Sequence, residues 1–372
     1  MSADAREIRP LTGIRGVAAI AVMIYHFSFI ASPFPSSDSN VLGRGYLAVD
    51  LFFLLSGMVM AIRQMSALAA GSDASQYFHF LKRRIARIYP LYFVVLILML
   101  LTAAGNQLSG SETFPPRWSG MVILSNLFLV QNWGLFVAIG WVSWSLSSQV
   151  AAYVLFPVLF AVCFHRIRTV SYVSAILAAM LLCIAAMRDP ADASHHYGYL
   201  DVYRSINFKP LLRCIAGFTF GLLAYRLAQV AFVKALISGN VLFIGIVLAT
   251  MASLYLGLHD LIVYVGLVLL VLCCYGNSKA SNVMFGNRIL CFLGLISYSL
   301  YLVHGAFYRF IPAVSAWTRE QFGEFAAPVY HVLPFLPVIA LAYCSYRLIE
   351  LPGRRYAEIV LGLTVKKGAS SV

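Results

Sequence analysis

Two ionisable residues stand out in the first apolar run of the sequence, Arg15 and His26, eleven positions apart in RPLTGIRGVAAIAVMIYHF. On a helix that spacing is roughly 16 Å along the axis. An ionisable side chain in apolar surroundings is costly unless paired or hydrated, which marks each of these for function by default. An imidazole can take a proton from a hydroxyl nucleophile, and a guanidinium holds phosphate or carboxylate in a planar fork. Arg15 can equally serve as an anchor that snorkels toward one membrane face, and His26 as a hydrogen bond between helices.

Other polar groups fall at similar depth. Asp50, in GYLAVDLFFLLSG, can fix the tautomer of a nearby imidazole or simply cap the helix it begins. Trp144, Ser145 and Gln149 open a later apolar run, and Tyr298 and His304 sit in ISYSLYLVHGAF. Trp144, Ser145, Tyr298 and His304 are candidates for binding an acceptor or an oxyanion, while His304 also reads as a bridge between helices. The run Lys82, Arg83, Arg84 and Arg87 has two uses, attraction to anionic lipid headgroups or a clamp for phosphates. A ligand with phosphates at that basic end and a long thin arm reaching ~16 Å to His26 would join the two, and acyl-coenzyme A has this shape.

The elements that must position these groups follow from composition. Of 372 residues, 61% are hydrophobic and 11% charged, too few charges to coat a soluble globule of this length. A membrane-spanning helix needs about 20 mostly apolar residues, and such stretches occur near 12–31, 46–64, 90–104, 146–164, 170–187, 210–227, 237–256, 261–276, 289–310 and 328–347. The expected fold class is therefore an all-α polytopic membrane protein of ten spans, eleven if the polar-interrupted segment 119–140 also crosses. The net charge of +13 excludes nucleic acid as a partner, because the 27 Lys and Arg lie mainly between apolar runs. With ten spans most of them collect on the side of the N-terminus, which makes both termini cytoplasmic and puts 119–140 on or into the outer face. The segment 65–89 reads as an amphipathic helix in the interface, with Pro90 opening the next span. No cleavable signal peptide, internal repeat or appended domain is expected. The chain reads as one membrane unit over 1–372, with a core of 9–355 and a short cytoplasmic tail at 356–372. The seven cysteines include no CxxC pair and read as packing residues, and no metal site is expected.

Six segments in order, RPLTGIRGVAAIAVMIYHF, GYLAVDLFFLLSGMVMAI, FLKRRIARIYPLYF, WSLSSQVAAYVLFP, ISYSLYLVHGAF and YRLIELP, resemble the membrane-bound acyltransferase-3 family between residues 9 and 355. The resemblance implies transfer of an acyl group, usually acetyl, from cytoplasmic acyl-coenzyme A to a hydroxyl of a carbohydrate or lipid-linked sugar. It assigns function to Arg15 and His26 and maps the family's basic stretch onto Arg84 and Arg87. It also implies a bacterial cytoplasmic (inner) membrane location and no permanently bound cofactor, and an oligomer is possible. One position departs: the family's WSLxxE motif reads WSLSSQ, with Gln149 in the acidic place. An amide cannot exchange a proton near neutral pH. Either the acid is dispensable here, or Asp50 covers its role, or the residue was altered to stall turnover.

The expected mechanism has acetyl-coenzyme A bound through Arg15 and the 82–87 run, with its thioester near His26. His26 removes the proton of the attacking hydroxyl, or is itself acylated first. Aromatic residues of 105–145 and 188–209 (Trp118, Trp133, Trp141, Trp144, His195, His196, Tyr197, Tyr199 and Tyr203) suit the face of a sugar and equally an interfacial belt. The competing class is a proton-coupled exporter of a glycan precursor, against which stands the absence of an inverted repeat in the sequence.

Overall fold

A computed structural model of the chain describes residues 8–28, 41–68, 74–108, 118–134, 136–187, 198–201, 207–323 and 335–363. The loop aromatics His195, His196, Tyr197 and Tyr203 lie outside the described residues. Among those described there is no strand, and the order is α1 (Arg9–Ser28), α2 (Ala48–Leu68), α3 (Ala74–Leu108), α4 (Gly120–Leu127), α5 (Trp144–Cys163), α6 (Arg168–Ala186), α7 (Lys209–Ala228), α8 (Ala231–Ile237), α9 (Asn240–Tyr255), α10 (Asp260–Gly276), α11 (Lys279–Met284), α12 (Arg288–Leu295), α13 (Ser297–Phe307), α14 (Ile311–Phe322), α15 (Phe335–Ser345) and α16 (Leu351–Val360). A π-helical turn, Tyr346–Glu350, joins the last two.

Within the described residues, each of the ten apolar stretches overlaps one of these helices or a bent pair. Among the described residues seven helices are long and apolar enough to cross a membrane, and nine when the pairs α8–α9 and α12–α13 count as one span each. Those pairs bend by 71° and 67°. The tenth, α10, has 17 residues, or about 25 Å of helix, short of the ~30 Å hydrocarbon core. Segment 119–140 does not form a spanning helix. Its eight-residue α4 leads into irregular backbone that the protein itself satisfies. Asn126 Nδ2 donates to the carbonyls of Val122 and Val137, both at 2.9 Å, and its Oδ1 accepts from the Ile139 amide at 2.9 Å. The Tyr92 hydroxyl donates to the Asn126 carbonyl at 2.7 Å, and Asn132 bonds the hydroxyls of Ser147 and Ser148.

The expected break at Pro90 is absent. Interfacial segment and span form one 35-residue helix, α3. The proline ring forfeits only the bond its missing N–H would make one turn back, and it lies against Gly353, where a Cβ would come within 2.6 Å of the Pro90 Cβ.

The core is built around α1 and α2, whose span windows are each 67% buried, against 17% for the span Phe335–Val360. Small residues set the closest approach, as expected where lipid removes most of the hydrophobic drive between helices. In α7 the segment GFTFG places Gly217 and Gly221 on one face against α2. A Cβ on Gly57 would lie 2.0 Å from the Phe218 carbonyl oxygen, and one on Gly221 2.1 Å from that of Leu54. Backbone meets backbone here, so nothing flexible can yield. Gly57→Ala and Gly221→Ala should each cost about 1–3 kcal/mol, read as a lower Tm of the detergent-solubilised protein. Gly245→Ala, with nothing within 4 Å of the new Cβ, should leave Tm unchanged.

Candidate functional site

α1 carries both Arg15 and His26, and α13 runs beside it. Residues 297, 301 and 304 of α13 recur at helical spacing and share one face. His304 Nδ1 lies 3.1 Å from the Leu300 carbonyl oxygen, and His304 Nε2 lies 2.9 Å from His26 Nδ1. A carbonyl only accepts, so His304 Nδ1 carries the proton and its Nε2 accepts from His26 Nδ1–H. That assignment leaves the His26 Nε2 lone pair uncommitted, which is the form a general base requires. The two rings are nearly parallel (9°, centroids 5.1 Å apart), and the Trp141 ring stands edge-on to His26 at 4.3 Å. His26 is 9% exposed and His304 fully buried.

Next to this pair lies a cavity that is partly open to solvent. Its polar lining includes Arg15, Arg84, Arg87, Ser56, Gln149, Tyr153, Ser145 and Tyr301, between apolar walls that include Val49, Phe52, Phe53 and Leu146. Its cationic part is fixed by hydrogen bonds to α13: an Arg15 guanidinium nitrogen donates to Ser297 Oγ at 3.2 Å, and the Tyr298 hydroxyl donates to the Ile88 carbonyl of α3. Arg84 is buried, with its guanidinium over the rings of Phe80 and Tyr153 at 5.5 and 5.9 Å. Lys82 and Arg83 are exposed and are not among the cavity-lining residues. The four-residue basic run is thus divided by exposure: Arg84 and Arg87 line the cavity and Lys82 and Arg83 do not, although Arg83 lies one turn before Arg87 on the same side of the helix. The cavity lining contains three guanidinium groups and no carboxylate, an arrangement suited to a polyanion.

Tyr301 lies at the part of the cavity nearest the histidines, its ring centroid 5.5 Å from that of His304. Its hydroxyl is 2.8 Å from Ser145 Oγ and 3.0 Å from the Val142 carbonyl oxygen. Gln149 Nε2 donates to Ser56 Oγ.

The structure does not bring Asp50 to His26. Both Asp50 oxygens bind Arg213, Oδ1 to Nε at 2.9 Å and Oδ2 to Nη2 at 2.7 Å, with each residue at most 1% exposed. The guanidinium also donates to the carbonyls of Leu200 (2.7 Å) and Tyr46 (2.8 Å), and it lies 5.6 Å from the Trp144 ring. Trp144 is therefore packing on this ion pair, and His304 takes the place beside His26 that the sequence offered to Asp50. Tyr298 is likewise bound to backbone at the cationic end, far along α13 from His304.

Sequence reasoning missed Arg213, Tyr301, Ser297 and Glu350. An arginine four residues into an apolar stretch was a signal for Arg213, and the 297–301–304 spacing was one for the α13 face. Glu350, buried in the π-helical turn, accepts from Ser299 Oγ at 2.6 Å, and nothing local in YRLIELP announces it. Among the described residues no group of three His, Cys, Asp or Glu could hold a metal ion.

A family model described as an acyltransferase domain, of the acyltransferase-3 type, matches residues 9–347. The chain is 25% identical over 378 aligned residues to a putative peptidoglycan O-acetyltransferase, YrhL of Bacillus subtilis, covering 94% of this chain and 55% of that protein. It is 25% identical to the O-acetyltransferase OatA of Staphylococcus aureus, again over 94% of this chain and 58% of the relative. The acyltransferase MdmB of Streptomyces mycarofaciens is 30% identical over 196 residues, 50% of this chain and 47% of its own length. The chain spans about half the length of these relatives. No solved structure matches.

Removing one partner of a buried ion pair strands the other charge, at a cost of about 3–5 kcal/mol. Asp50→Asn should accordingly lower the Tm of the detergent-solubilised protein far more than Arg83→Gln at an exposed position of α3, measured side by side.

Proposed function

This chain belongs to the acyltransferase-3 family, and on that premise we propose that it is a multi-pass membrane O-acyltransferase whose donor is acyl-coenzyme A, most simply acetyl-coenzyme A, and whose acceptor is a carbohydrate hydroxyl. The observation that carries the reading is the pairing of one free imidazole nitrogen, His26 Nε2, with a nearby cavity whose only charged lining groups are guanidiniums. The printed names of two relatives, O-acetyltransferases, support the same chemistry.

In this proposal the donor's phosphates rest on Arg15, Arg84 and Arg87, entering from the cytoplasmic side of a bacterial inner membrane. Lys82 and Arg83, which are exposed, meet anionic lipid headgroups instead. The pantetheine arm follows the apolar walls, and the thioester lies at the part of the cavity nearest the histidine pair. The acceptor hydroxyl oxygen attacks the thioester carbonyl as His26 Nε2 takes its proton. The carbon–oxygen bond forms, the carbon–sulfur bond breaks, and the thiolate leaves with the proton returned to it. His304 holds His26 in the required tautomer, which makes it a positioning residue. Gln149 stands at the family's acidic position and borders the cavity as a neutral group, so proton movement falls to His26 alone. Ser145, whose hydroxyl lies at the cavity lining beside that of Tyr301, donates to the developing oxyanion. Asp50 acts only through Arg213 and the wall it supports.

Replacing His26 with Ala should lower acetyl transfer by about 10²–10⁴-fold, with coenzyme A binding unchanged. His304→Ala should reduce it by a smaller factor and likewise spare binding. Arg84→Ala should do the reverse, weakening coenzyme A binding before it slows turnover at saturation. These outcomes are read as free-thiol release from acetyl-coenzyme A by purified protein given a membrane glycan extract. Transfer at the parent rate in His26→Ala would remove the general base from the mechanism.

A further inference from the structure

We infer that Tyr301 and Phe52 form a partition between the donor cavity and the imidazole pair, closed by the Tyr301 hydroxyl, and that this partition favours the acceptor hydroxyl over water. The inference rests on the acyltransferase reading above and adds to it a determinant of specificity.

The two halves of the site do not share a surface. His26 and His304 are absent from the residues lining the cavity, whereas Tyr301 and Phe52 line it and face both sides. The Tyr301 ring lies 5.5 Å from His304 and 5.9 Å from the Phe52 ring, in an edge-on contact at 64°. Phe52 packs against both hydrophobic clusters of the molecule, the larger one that holds the cavity walls and the smaller one, around Met23, Phe27 and Leu300, beside the histidines. Two rings thus stand at the end of the cavity beside His304, and in the proposed reaction the thioester carbon must pass them to reach His26.

The partition is held by polar bonds as well as packing. The Tyr301 hydroxyl sits within reach of Ser145 Oγ and the Val142 carbonyl, at 2.8 and 3.0 Å, and Ser145 Oγ is itself 3.4 Å from the same carbonyl. In this state Ser145, the proposed oxyanion donor, is engaged by Tyr301. Displacement of the Tyr301 hydroxyl would connect the cavity to the imidazole and release Ser145 in the same movement. A thioester held behind a closed partition meets neither the base nor the oxyanion donor, so water that reaches His26 has nothing to attack. In the neighbouring wall Phe53 stacks edge-on to Trp144, which in turn covers Arg213, so that side is braced by a buried ion pair and the yielding side is the one Tyr301 forms.

The competing reaction is hydrolysis, in which a water oxygen bonds the acyl carbon, the carbon–sulfur bond breaks, and the products are acetate and the free thiol of coenzyme A, the proton passing from water through His26 to the thiolate. The test measures thiol release and acetate from acetyl-coenzyme A, with and without membrane glycan extract, for the parent, Tyr301→Phe and Phe52→Leu. Tyr301→Phe keeps the ring and its packing but removes the closing bonds, and Phe52→Leu thins the partition while leaving the hydroxyls alone. Acceptor-free hydrolysis should rise about tenfold in Tyr301→Phe, the weight of one to two neutral hydrogen bonds on an open–closed equilibrium, and the share of thiol release that ends as transfer should fall. Phe52→Leu should move the ratio in the same direction. A variant that merely weakened the fold would lose transfer and hydrolysis together, leaving their ratio at the parent value, and that result overturns the partition. Acetyl transfer by the parent with unchanged acceptor-free hydrolysis in both variants overturns it as well. No thioester consumption by the parent under any condition would instead overturn the acyltransferase reading itself, and the partition with it.

Discussion

The buried pair of Asp50 and Arg213 is the contact around which the membrane core is arranged. A guanidinium and a carboxylate in surroundings this dry are tolerated only when their charges and hydrogen-bonding positions are met together. Arg213 meets its requirement through five groups from separate parts of the chain: two oxygens of Asp50 in α2, the carbonyls of Tyr46 and Leu200, and the face of Trp144 at the start of α5. Every one of those elements is thereby held to α7. The glycine contacts of α2 and α7 serve the same end, because only a close backbone approach brings the arginine over the carboxylate.

A second polar layer continues this arrangement. Tyr46 donates its hydroxyl to Asp260, which also accepts from the Leu200 amide at 2.8 Å and lies 3.6 Å from Arg44. Tyr25, one residue before His26, donates to Asp201 at 2.9 Å. α1 is thus pinned next to its imidazole, and the orientation of His26 follows from the position of its neighbour as well as from His304. Around the irregular 118–143 segment, side-chain amides and hydroxyls replace the backbone bonds a helix would have made. Non-helical backbone persists at this depth because Asn126, Asn132 and the serines of α5 satisfy it.

With the frame fixed in this way, the site divides its labour between two ends. In the proposed mechanism the guanidiniums of the cavity lining hold an anionic donor, and the imidazole pair keeps one lone pair free for the acceptor hydroxyl. Separation matters to both. A guanidinium next to His26 would hold its lone pair less basic, and an imidazole within the cavity would expose a bound thioester to water.

Much of this was legible in the residues alone. Apolar length gave the helices, with the ten stretches each overlapping a helix or bent pair within the described residues, since hydrophobicity and chain length are properties of a segment by itself. The spacing of Arg15 and His26 needed only the rise of one helix, and the chemistry of the 82–87 run needed only its residue types. Pro90 misled because a local breaker was read without the Gly353 surface that accepts it. Asp50, read as a partner for His26 or a helix cap, is bound to Arg213, with Trp144 packed on that guanidinium and Tyr298 bonded to the Ile88 carbonyl. His26 meets His304 across 278 positions of sequence, and Arg213 meets Asp50 across 163. Which imidazole nitrogen is free, which carboxylate is already spent on an arginine, and which tyrosine stands between the cavity and His304 all depend on how the helices rotate against one another. Segment composition determines that a helix forms and that it enters the membrane; only packing fixes the rotation, because a change of one residue in phase turns a helical side chain by about 100° and gives it a different partner.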